Sequence, residues 1–550
     1  MADPDKRTEP DFGTYITGIT LGGFQVFDEP TDIPLGQLTF LFGPNSAGKS
    51  AVEDALVLLS GLLSQTSGKG KEFDPPLERH WRRTDGTEGG FAPLLTLGIT
   101  ASIPTDLPGA LGLWDEVGEE YPLQRPGAWG HEVRATFLYR FNDEYRQGWD
   151  SIHSDSQFRM AVDGEELLAV EIGERMGIRV RHPLALGAKF AASFEALANE
   201  LPLYVEAGDG WVWLRSKYCR LDLGETDREL LVALAGTGDE VYDRPDDWDK
   251  IVSRLRPAVD AFVDAFDRAK EVAWGNASIT PETVPASRTI PTKEELTCLC
   301  DLSGWGSGLR EFELEPDEKG KYQDLAEACW MERTRSDKHT LGAGKGLIAD
   351  VNRALSDHLC IERGYQIGSD FRVLLSLDQL TDIDFATEEA AANYPALVRM
   401  FLVDSEGRRY GFDEVGSGLG YVLPVLCSAY HPRVSVSLIQ QPELHLHPAL
   451  QTALGDVFIE AASPEHQLIV ETHSEHVLLR VLKRIRQTSG TKPPAPELRI
   501  SPQDVVVVYF DPRPDGTTTV KRLRISADGE FLDRWPRGFF SERDAELFDE

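Results

Sequence analysis

The chain has 550 residues, of which 41% are hydrophobic and 27% charged, a balance typical of globular proteins large enough for two to four domains. Its formal net charge of −35 excludes a protein whose whole surface binds nucleic acid, because phosphate binding needs clustered Lys and Arg side chains. No run reaches the roughly 18 to 20 apolar residues of a membrane-spanning helix, and residues 1–7 are too polar for a signal peptide. We therefore expect a cytoplasmic protein.

Residues 43–50, Gly-Pro-Asn-Ser-Ala-Gly-Lys-Ser, fit the phosphate-loop pattern G-x-x-x-x-G-K-[ST]. They lie between a strand-like run at 38–42 and a helix-like run at 51–59, which is the context that such a loop requires. Backbone N–H groups of the loop would face the phosphates, Lys49 would reach the β- and γ-phosphates, and the Ser50 hydroxyl can bind Mg²⁺. The loop predicts binding of ATP or GTP, and the candidate nucleotide-binding residues are Asn45, Ser46, Ala47, Gly48, Lys49 and Ser50.

The flanking sequence changes character along the chain. Strand-like runs at 15–19, 23–27 and 38–42 lead into the phosphate loop, and alternation from 94 to 223 predicts an antiparallel lobe. Apolar residues at helical spacing, as in 251–266 and 347–359, then predict a helical insertion. The six cysteines include only one close pair, Cys298 and Cys300, which is a poor zinc signal and favours reduced thiols.

Polar residues that could complete a nucleotide site appear only after this insertion. A buried strand at 434–439 is followed by Gln-Gln-Pro-Glu-Leu-His-Leu-His-Pro, and a second strand at 467–472 is followed by His-Ser-Glu-His. Parallel strands of an α/β sheet present such groups at their carboxyl ends. A Gly/Ser turn at 416–418 opens an apolar helix and offers backbone N–H groups to an anion.

This order of motifs resembles the ABC/SMC-type ATPase heads, in the branch of predicted AAA ATPases related to RecF and the overcoming-lysogenization-defect (OLD) proteins. The motifs cover residues 14–60 and 400–550, and residues 527–540 resemble a C-terminal extension, of unassigned role, in one bacterial subgroup. The resemblance implies an α/β fold, an ABC/SMC-like P-loop ATPase head with an antiparallel β lobe and a helical insertion. On this basis we expect the N-terminal part of the head at 1–90, the β lobe at 91–225, the helical insertion at 226–365 and the C-terminal part of the head at 366–550.

The resemblance also implies roles for individual residues. Lys49 and Ser50 would contact the phosphates and Mg²⁺ of bound ATP. Gly416, Ser417 and Gly418 would form the signature turn that touches the γ-phosphate bound to a second protomer, and His473 would be the switch histidine at that phosphate.

One departure from the family pattern concerns the strand before Pro442. Active heads usually have Asp-Glu there, the Asp holding the Mg²⁺ shell and the Glu polarising the attacking water, whereas this chain has Gln440 and Gln441. An amide brings no negative charge to Mg²⁺ and cannot take a proton as a carboxylate can. Gln441 could still orient water, and Glu443 is the only nearby carboxylate. We expect a slow ATPase with Gln441, Glu443 and His473 as candidate catalytic residues and Ser50 and Gln440 as candidate Mg²⁺ ligands.

Three further features have competing interpretations. Four histidines have the residue type and number of a transition-metal site: His445, His447, His473 and His476. The resemblance instead implies that His473 senses the γ-phosphate and that residues 445–448 form a loop that crosses the dimer interface. Arg480, Lys483, Arg484 and Arg486 form either a basic patch for nucleic acid or a solvated helix face. Arg288 either matches an arginine segment of the same subgroup or makes a surface salt bridge.

The function that these features favour is an ATP-switched homodimer, or higher homo-oligomer, that senses or controls a partner effector protein. By analogy it would act in bacterial anti-phage defence or a toxin–effector system. One alternative is a RecF-like DNA-repair ATPase, for which nucleic acid would be a partner. Another is a pseudo-ATPase scaffold that holds ATP without turnover.

Overall fold

The computed structural model describes residues 15–65, 82, 94–103, 131–140, 155–162, 164–172, 176–181, 203–208, 211–216, 281–292, 295–300, 322–334, 344–360, 362–373, 396–432 and 434–535. In chain order the strands are β1 Tyr15–Gly22, β2 Thr31–Pro34, β3 Leu38–Phe42, β4 Leu94–Ile103, β5 His131–Arg140, β6 Asp155–Val162, β7 Glu165–Ile172, β8 Met176–Arg181, β9 Leu203–Gly208, β10 Trp211–Ser216, β11 Pro281–Val284, β12 Thr297–Cys300, β13 Gln366–Val373, β14 Ala396–Val403, β15 Arg409–Tyr410, β16 Val436–Gln440, β17 Gln467–Glu471, β18 Val505–Pro512 and β19 Thr518–Leu523.

The α-helices are α1 Ser50–Gln65, α2 Gln323–Thr334, α3 Gly344–Arg353, α4 Ser417–Ala429, α5 Pro448–Ala461 and α6 Glu475–Ser489. A π-helix, Ala354–Leu359, continues α3, and a 3₁₀ turn covers Pro496–Leu498. Among the helices in the described ranges, none is long and apolar enough to cross a membrane. The described residues fall into two compact units, the first drawn from Met1–Gly36, Phe42–Pro281 and Val508–Arg522, and the second from Gln37–Leu41, Glu282–Val507 and Leu523–Glu550.

The first unit contains a nine-stranded antiparallel sheet in the order β2-β1-β4-β5-β6-β7-β8-β10-β9. The predicted antiparallel lobe therefore exists, but it starts at β1 rather than at residue 91. The expected strand at 23–27 is instead a tight turn closed by a bridge between Phe24 and Phe27. Both rings are fully buried, and a strand would send residues three apart to opposite faces, so a turn is needed to bury both.

The second unit contains the parallel strands that the sequence predicts. β16 pairs with β17 and β17 pairs with β3, both in parallel. Their interiors are buried, as expected for strands covered on both faces. β11 lies beyond β16, and β18 follows β3 on the other side. A separate antiparallel sheet has the order β12-β14-β13, with β15 paired to β14.

The expected helical insertion at 226–365 is only partly helical where the structure describes it. α2, α3 and the π-helix lie there, but so do β11 and β12, which join the sheets of the second unit. Each of these strands has only four residues, too few for alternation to show in the sequence. The predicted helix at 251–266 lies outside the described residues.

The basic face predicted on α6 is used inside the fold. Arg484 donates from Nε and Nη2 to the two carboxylate oxygens of Asp456 on α5, both at 2.7 Å, and Arg480 Nη1 donates to the same carboxylate at 3.0 Å. Arg486 Nε donates to the Asp528 carbonyl oxygen at 2.7 Å. The fourth basic residue, Lys483, is exposed. The face is therefore only partly solvated, because Arg480 and Arg484 share a carboxylate within the fold.

We predict that Asp456→Ala lowers the free energy of unfolding by about 3 kcal/mol, because it leaves two arginine side chains without the carboxylate they share. Asp456 is 5% exposed, so water cannot fully replace it. Lys483→Ala, on the exposed face of α6, the helix that carries both arginines, should change the free energy by less than about 0.5 kcal/mol. Urea unfolding of the two variants and the wild type measures the difference, and equal midpoints would contradict the role of this ion pair.

Candidate functional site

The phosphate loop follows β3 directly and encloses its own lysine. Lys49 is 4% exposed, and its Nζ donates to the carbonyl oxygens of Gly43 at 3.0 Å and Pro44 at 2.9 Å. These bonds fix the ammonium inside the curve of the loop. A cation held in this way is available to an anion that lies against the loop.

The loop backbone has the shape that phosphate binding requires. Ser46 has φ 63° and Gly48 has φ 92°, and a Cβ at position 48 would collide with Val26 Cγ2, so only glycine fits there. Thr518 Oγ1 donates to the Ala47 carbonyl oxygen at 2.9 Å and anchors the loop from below. No polar group of the described chain accepts from the N–H groups of Ser46 or Gly48. These donors and the N-terminus of α1 are suited to an anion.

Glu443 is the central residue of the second unit's candidate site. Its Oε2 accepts from Thr472 Oγ1 at 2.8 Å, and its Oε1 accepts from the His473 N–H at 2.7 Å. The Gln441 N–H donates to the Glu471 carbonyl oxygen at 2.7 Å. The loop after β16 is thereby fixed to the carboxyl end of β17, and all three predicted catalytic residues, Gln441, Glu443 and His473, lie together.

A second set of hydrogen bonds supports this arrangement. Ser474 Oγ caps α6 by accepting from the Val477 N–H at 3.3 Å and donates to Gln451 Oε1 at 2.8 Å. Gln451 Nε2 in turn donates to the Leu446 carbonyl oxygen at 3.0 Å, which closes a circuit from α6 through α5 back to the Glu443 loop. The carboxylate therefore has little freedom to move.

The parallel pairing of β17 with β3 continues to the end of both strands. Leu41 of β3 lies beside Glu471 of β17, and the Thr472 N–H donates to the Leu41 carbonyl oxygen at 3.3 Å. Parallel neighbours end at the same edge of a sheet. At this edge β17 continues into Thr472–Ser474.

The Gly416–Gly418 turn opens α4 beside the Glu443 loop. Gly416 is exposed and precedes a helix of 13 residues that has no side-chain cap. A Cβ at Gly418 would lie 2.9 Å from the His445 carbonyl oxygen, so this glycine permits close contact between helix and loop. The ring of Tyr421, one turn further along, stacks on His445 with centroids 4.2 Å apart.

Ser50 and Gln440, the two candidate Mg²⁺ ligands, are not equally suited to bind the ion. Ser50 is exposed at the first position of α1, so its hydroxyl can serve as a ligand. Gln440 Oε1 already accepts from the Ala286 N–H at 3.1 Å, and the amide is neutral. Gln440 therefore fits a structural role better than the role of a Mg²⁺ ligand.

The four histidines form no metal site. Within the described ranges, no three His, Cys, Asp or Glu side chains come together at distances that would hold a metal ion. His447 instead caps α5, its Nδ1 accepting from the Ala449 N–H at 3.3 Å. His476 is exposed at the start of α6. Cys298, Cys329, Cys360 and Cys427 are free thiols, as predicted.

Arg288 lies at this site rather than on the surface. It is 5% exposed and donates to backbone carbonyl oxygens at the end of β16, so the expected surface salt bridge is wrong. Its position, about 150 residues before β16 in the chain, gives no sequence signal of this contact. A short segment with a single charge between Ala286 and Pro291 was the only indication.

Comparison with known proteins finds one matching family model, described as "AAA domain, putative AbiEii toxin, Type IV TA system", over residues 331–480. This range covers α4, β16, the Glu443 loop, α5, β17 and the start of α6. No curated protein matches the chain in sequence.

Solved structures similar to this chain include SMC heads. A Smc head bound to the C-terminal winged-helix domain of ScpA is 10% identical with a TM-score of 0.36, covering 93% of this chain and 98% of its own. The SMC head of Thermotoga maritima is 9% identical (TM-score 0.34, 93% and 100% covered), and a Pyrococcus furiosus Smc head with ScpA is 10% identical (TM-score 0.34, 93% and 96%). TM-scores this low transfer no residue role.

The conclusion therefore rests on the chain itself and the AAA-domain match. A phosphate loop joins β3 to α1, parallel strands end at the Glu443 loop, and an antiparallel sheet and further helices complete the units. The chain is an α/β protein with a P-loop between β3 and α1, and its residues 331–480 are similar to an AAA domain.

Proposed function

We propose that the protein binds ATP through the phosphate loop. The observation that carries the proposal is the loop closed around the Lys49 ammonium, with Ser46 in the left-handed region and open N–H groups beside it. Carbonyl oxygens of the loop hold the cation in place before any ligand arrives, so little ordering is needed on binding. Mg²⁺, when bound with the nucleotide, neutralises phosphate charge, and Ser50 is the residue suited to hold it.

Slow hydrolysis is the second part of the proposal. Glu443 is a carboxylate fixed by two hydrogen bonds, and such a group can accept a proton from water. Gln441 lies two residues before it in a left-handed conformation, with φ 43°, and can orient water without accepting its proton. Neutral amides at positions 440 and 441 support slow turnover and long retention of ATP.

The third part concerns assembly and signalling. Gly416 is exposed at an uncapped helix N-terminus, which supports contact with a phosphate bound to a second protomer. An ATP-bridged dimer of this kind would change its surface with nucleotide state and so control a partner effector protein. The toxin–antitoxin wording of the matching family is compatible with anti-phage defence as the setting.

The two alternatives differ in their support. A DNA-repair role has little, because three of the four basic side chains of the α6 face bond within the fold and the chain carries −35 net charge. A scaffold that retains ATP is favoured by one contact, the bond from the Ala286 N–H to Gln440 Oε1, which occupies the oxygen expected to serve Mg²⁺. Measured turnover separates the scaffold from the slow ATPase.

Lys49→Ala should weaken ATP binding roughly 30-fold or more, because it removes the buried ammonium that faces the phosphates. Calorimetry with ATP and Mg²⁺ measures the affinity. Lys521→Ala is the matched control, since Lys521 is half exposed and pairs with Asp511. Equal affinities for the wild type and Lys49→Ala, with both proteins folded, would contradict the assignment of this loop.

Steady-state phosphate release should be well below the ~1 to 100 s⁻¹ of typical kinases. Glu443→Gln should reduce it by about 100-fold or more, because it removes the carboxylate that can act as a base, and Gln441→Glu should increase it by adding a second one. A fast wild-type enzyme that is unaffected by either substitution would show that other residues carry the reaction.

Gly416→Glu should leave ATP affinity unchanged and abolish ATP-dependent dimerisation, because a carboxylate at the turn would repel the partner's phosphate. A Cβ at this position meets no atom within 4 Å, so the variant should fold, and Gly416→Ala is the control that adds bulk without charge. Ser417→Glu should act in the same way as Gly416→Glu. Light scattering with a non-hydrolysable ATP analogue gives the mass; a Gly416→Glu protein that assembles like the wild type would contradict the dimer.

A further inference from the structure

Arg288 is a buried cation bound entirely to backbone carbonyl oxygens. Its Nη1 donates to Gln440 at 2.6 Å and to Pro285 at 3.0 Å, its Nη2 donates to Gln441 at 2.8 Å, and its Nε donates to Tyr421 at 3.2 Å. These bonds use the fork geometry of the guanidinium, which a lysine ammonium cannot reproduce.

Electrostatics shows that this position is costly for a charge. Burial lowers the pKa of the Arg288 guanidinium, and the negative charge of Glu443 acts in the opposite direction. No carboxylate of the described residues lies within ion-pair distance of it. A buried charge without a paired carboxylate must be stabilised by its hydrogen bonds, so these four bonds are the reason that it is tolerated.

The bonds join two elements of the proposed ATPase site. Gln440 and Gln441 end β16 and begin the Glu443 loop, whereas Tyr421 lies on α4, one turn after the Gly416–Gly418 turn. The segment that carries Arg288 also holds the Gln440 side chain, because the Ala286 N–H donates to Gln440 Oε1. The Tyr421 ring stacks on His445 in the same loop, so α4 contacts the loop at two places.

We propose that Arg288 is a positioning residue that couples α4 to the Gln441–Glu443 loop. It holds the left-handed backbone of Gln441, and it transmits a displacement of the Gly416–Gly418 turn, carried by α4, to the residues that face the attacking water. The proposal rests on the proposed function, since it concerns the turnover of ATP at that loop. It assigns Arg288 no contact with the nucleotide.

The test compares Arg288→Met, Arg288→Lys and the control Arg524→Met, whose arginine is exposed and pairs with Asp533. Arg288→Met should keep ATP affinity within about twofold by calorimetry and lower kcat by at least about tenfold. Arg288→Lys should recover less than half of the loss, because one ammonium cannot bond both strand-end carbonyls and Tyr421. The control should match the wild type in both quantities.

Hydrogen exchange separates positioning from general loss of structure. Arg288→Met should speed exchange of the Leu444 and Leu446 amides, which bond within the loop to Gln441 and Glu443, and leave the α5 amides unchanged. Wild-type kcat and exchange in Arg288→Met would overturn the proposal, as would faster exchange throughout the second unit with matching losses of affinity and kcat. If the wild type hydrolyses no ATP, the proposed ATPase function fails. The coupling between α4 and the loop is then judged by hydrogen exchange alone. It stands if Arg288→Met speeds exchange only in α4 and residues 440–447, and it is overturned by any other pattern.

Discussion

The candidate site of the second unit depends on the two hydrogen bonds that Glu443 accepts from Thr472 Oγ1 and the His473 N–H. The loop that carries Glu443 reverses direction through two non-glycine residues in the left-handed region, Gln441 and His445. Each such conformation costs about 1 kcal/mol or more, and each hydrogen bond to a charged acceptor stabilises by about 1.5–3 kcal/mol. The two hydrogen bonds of the carboxylate therefore stabilise enough to offset the cost of the left-handed residues and hold the loop against the end of β17.

The same constraint bears on the chemistry. A loop that is fixed by its only carboxylate combines support and proton acceptance in one group, so Glu443 is both anchor and candidate base. Gln440, by contrast, uses its oxygen to accept from Ala286. An amide oxygen makes this bond as a carboxylate oxygen would, but without a negative charge. The Gln440 side chain thus helps to hold the end of β16 in place.

In the second unit, several arginine side chains bond to other elements of the fold. Asp456 accepts from Arg480 and Arg484, and Arg288 bonds to carbonyl oxygens, so these charges connect one element to another instead of facing solvent. Only Lys483 of the α6 face is left as an exposed cation without a described contact. In an acidic chain, this use of arginine connects elements within the fold.

The sequence by itself determined the parts whose signals are local. The phosphate loop is one uninterrupted segment with strand and helix on either side. β16 and β17 are short continuous apolar runs followed by polar residues, and α4 is an apolar run that follows a Gly/Ser turn. The α/β fold class follows from these segments and their order. Strand β11 and the turn at Phe24–Phe27 were missed or misassigned, because four-residue elements have no measurable period and because burial of two rings three residues apart is a tertiary requirement.

Only the tertiary structure decided what individual polar side chains do. Nothing local shows that Glu443 accepts from Thr472 and His473, thirty residues further along, or that Arg288 bonds to the carbonyl oxygens of Gln440 and Gln441. The sequence of α6 suggests an exposed basic face, whereas in the fold two of its residues, Arg480 and Arg484, pair with Asp456 of α5. Residue type limits the bonds that a side chain can make, but its partner is fixed by the packing of distant segments, which is why charge and hydrogen-bond assignments required the fold.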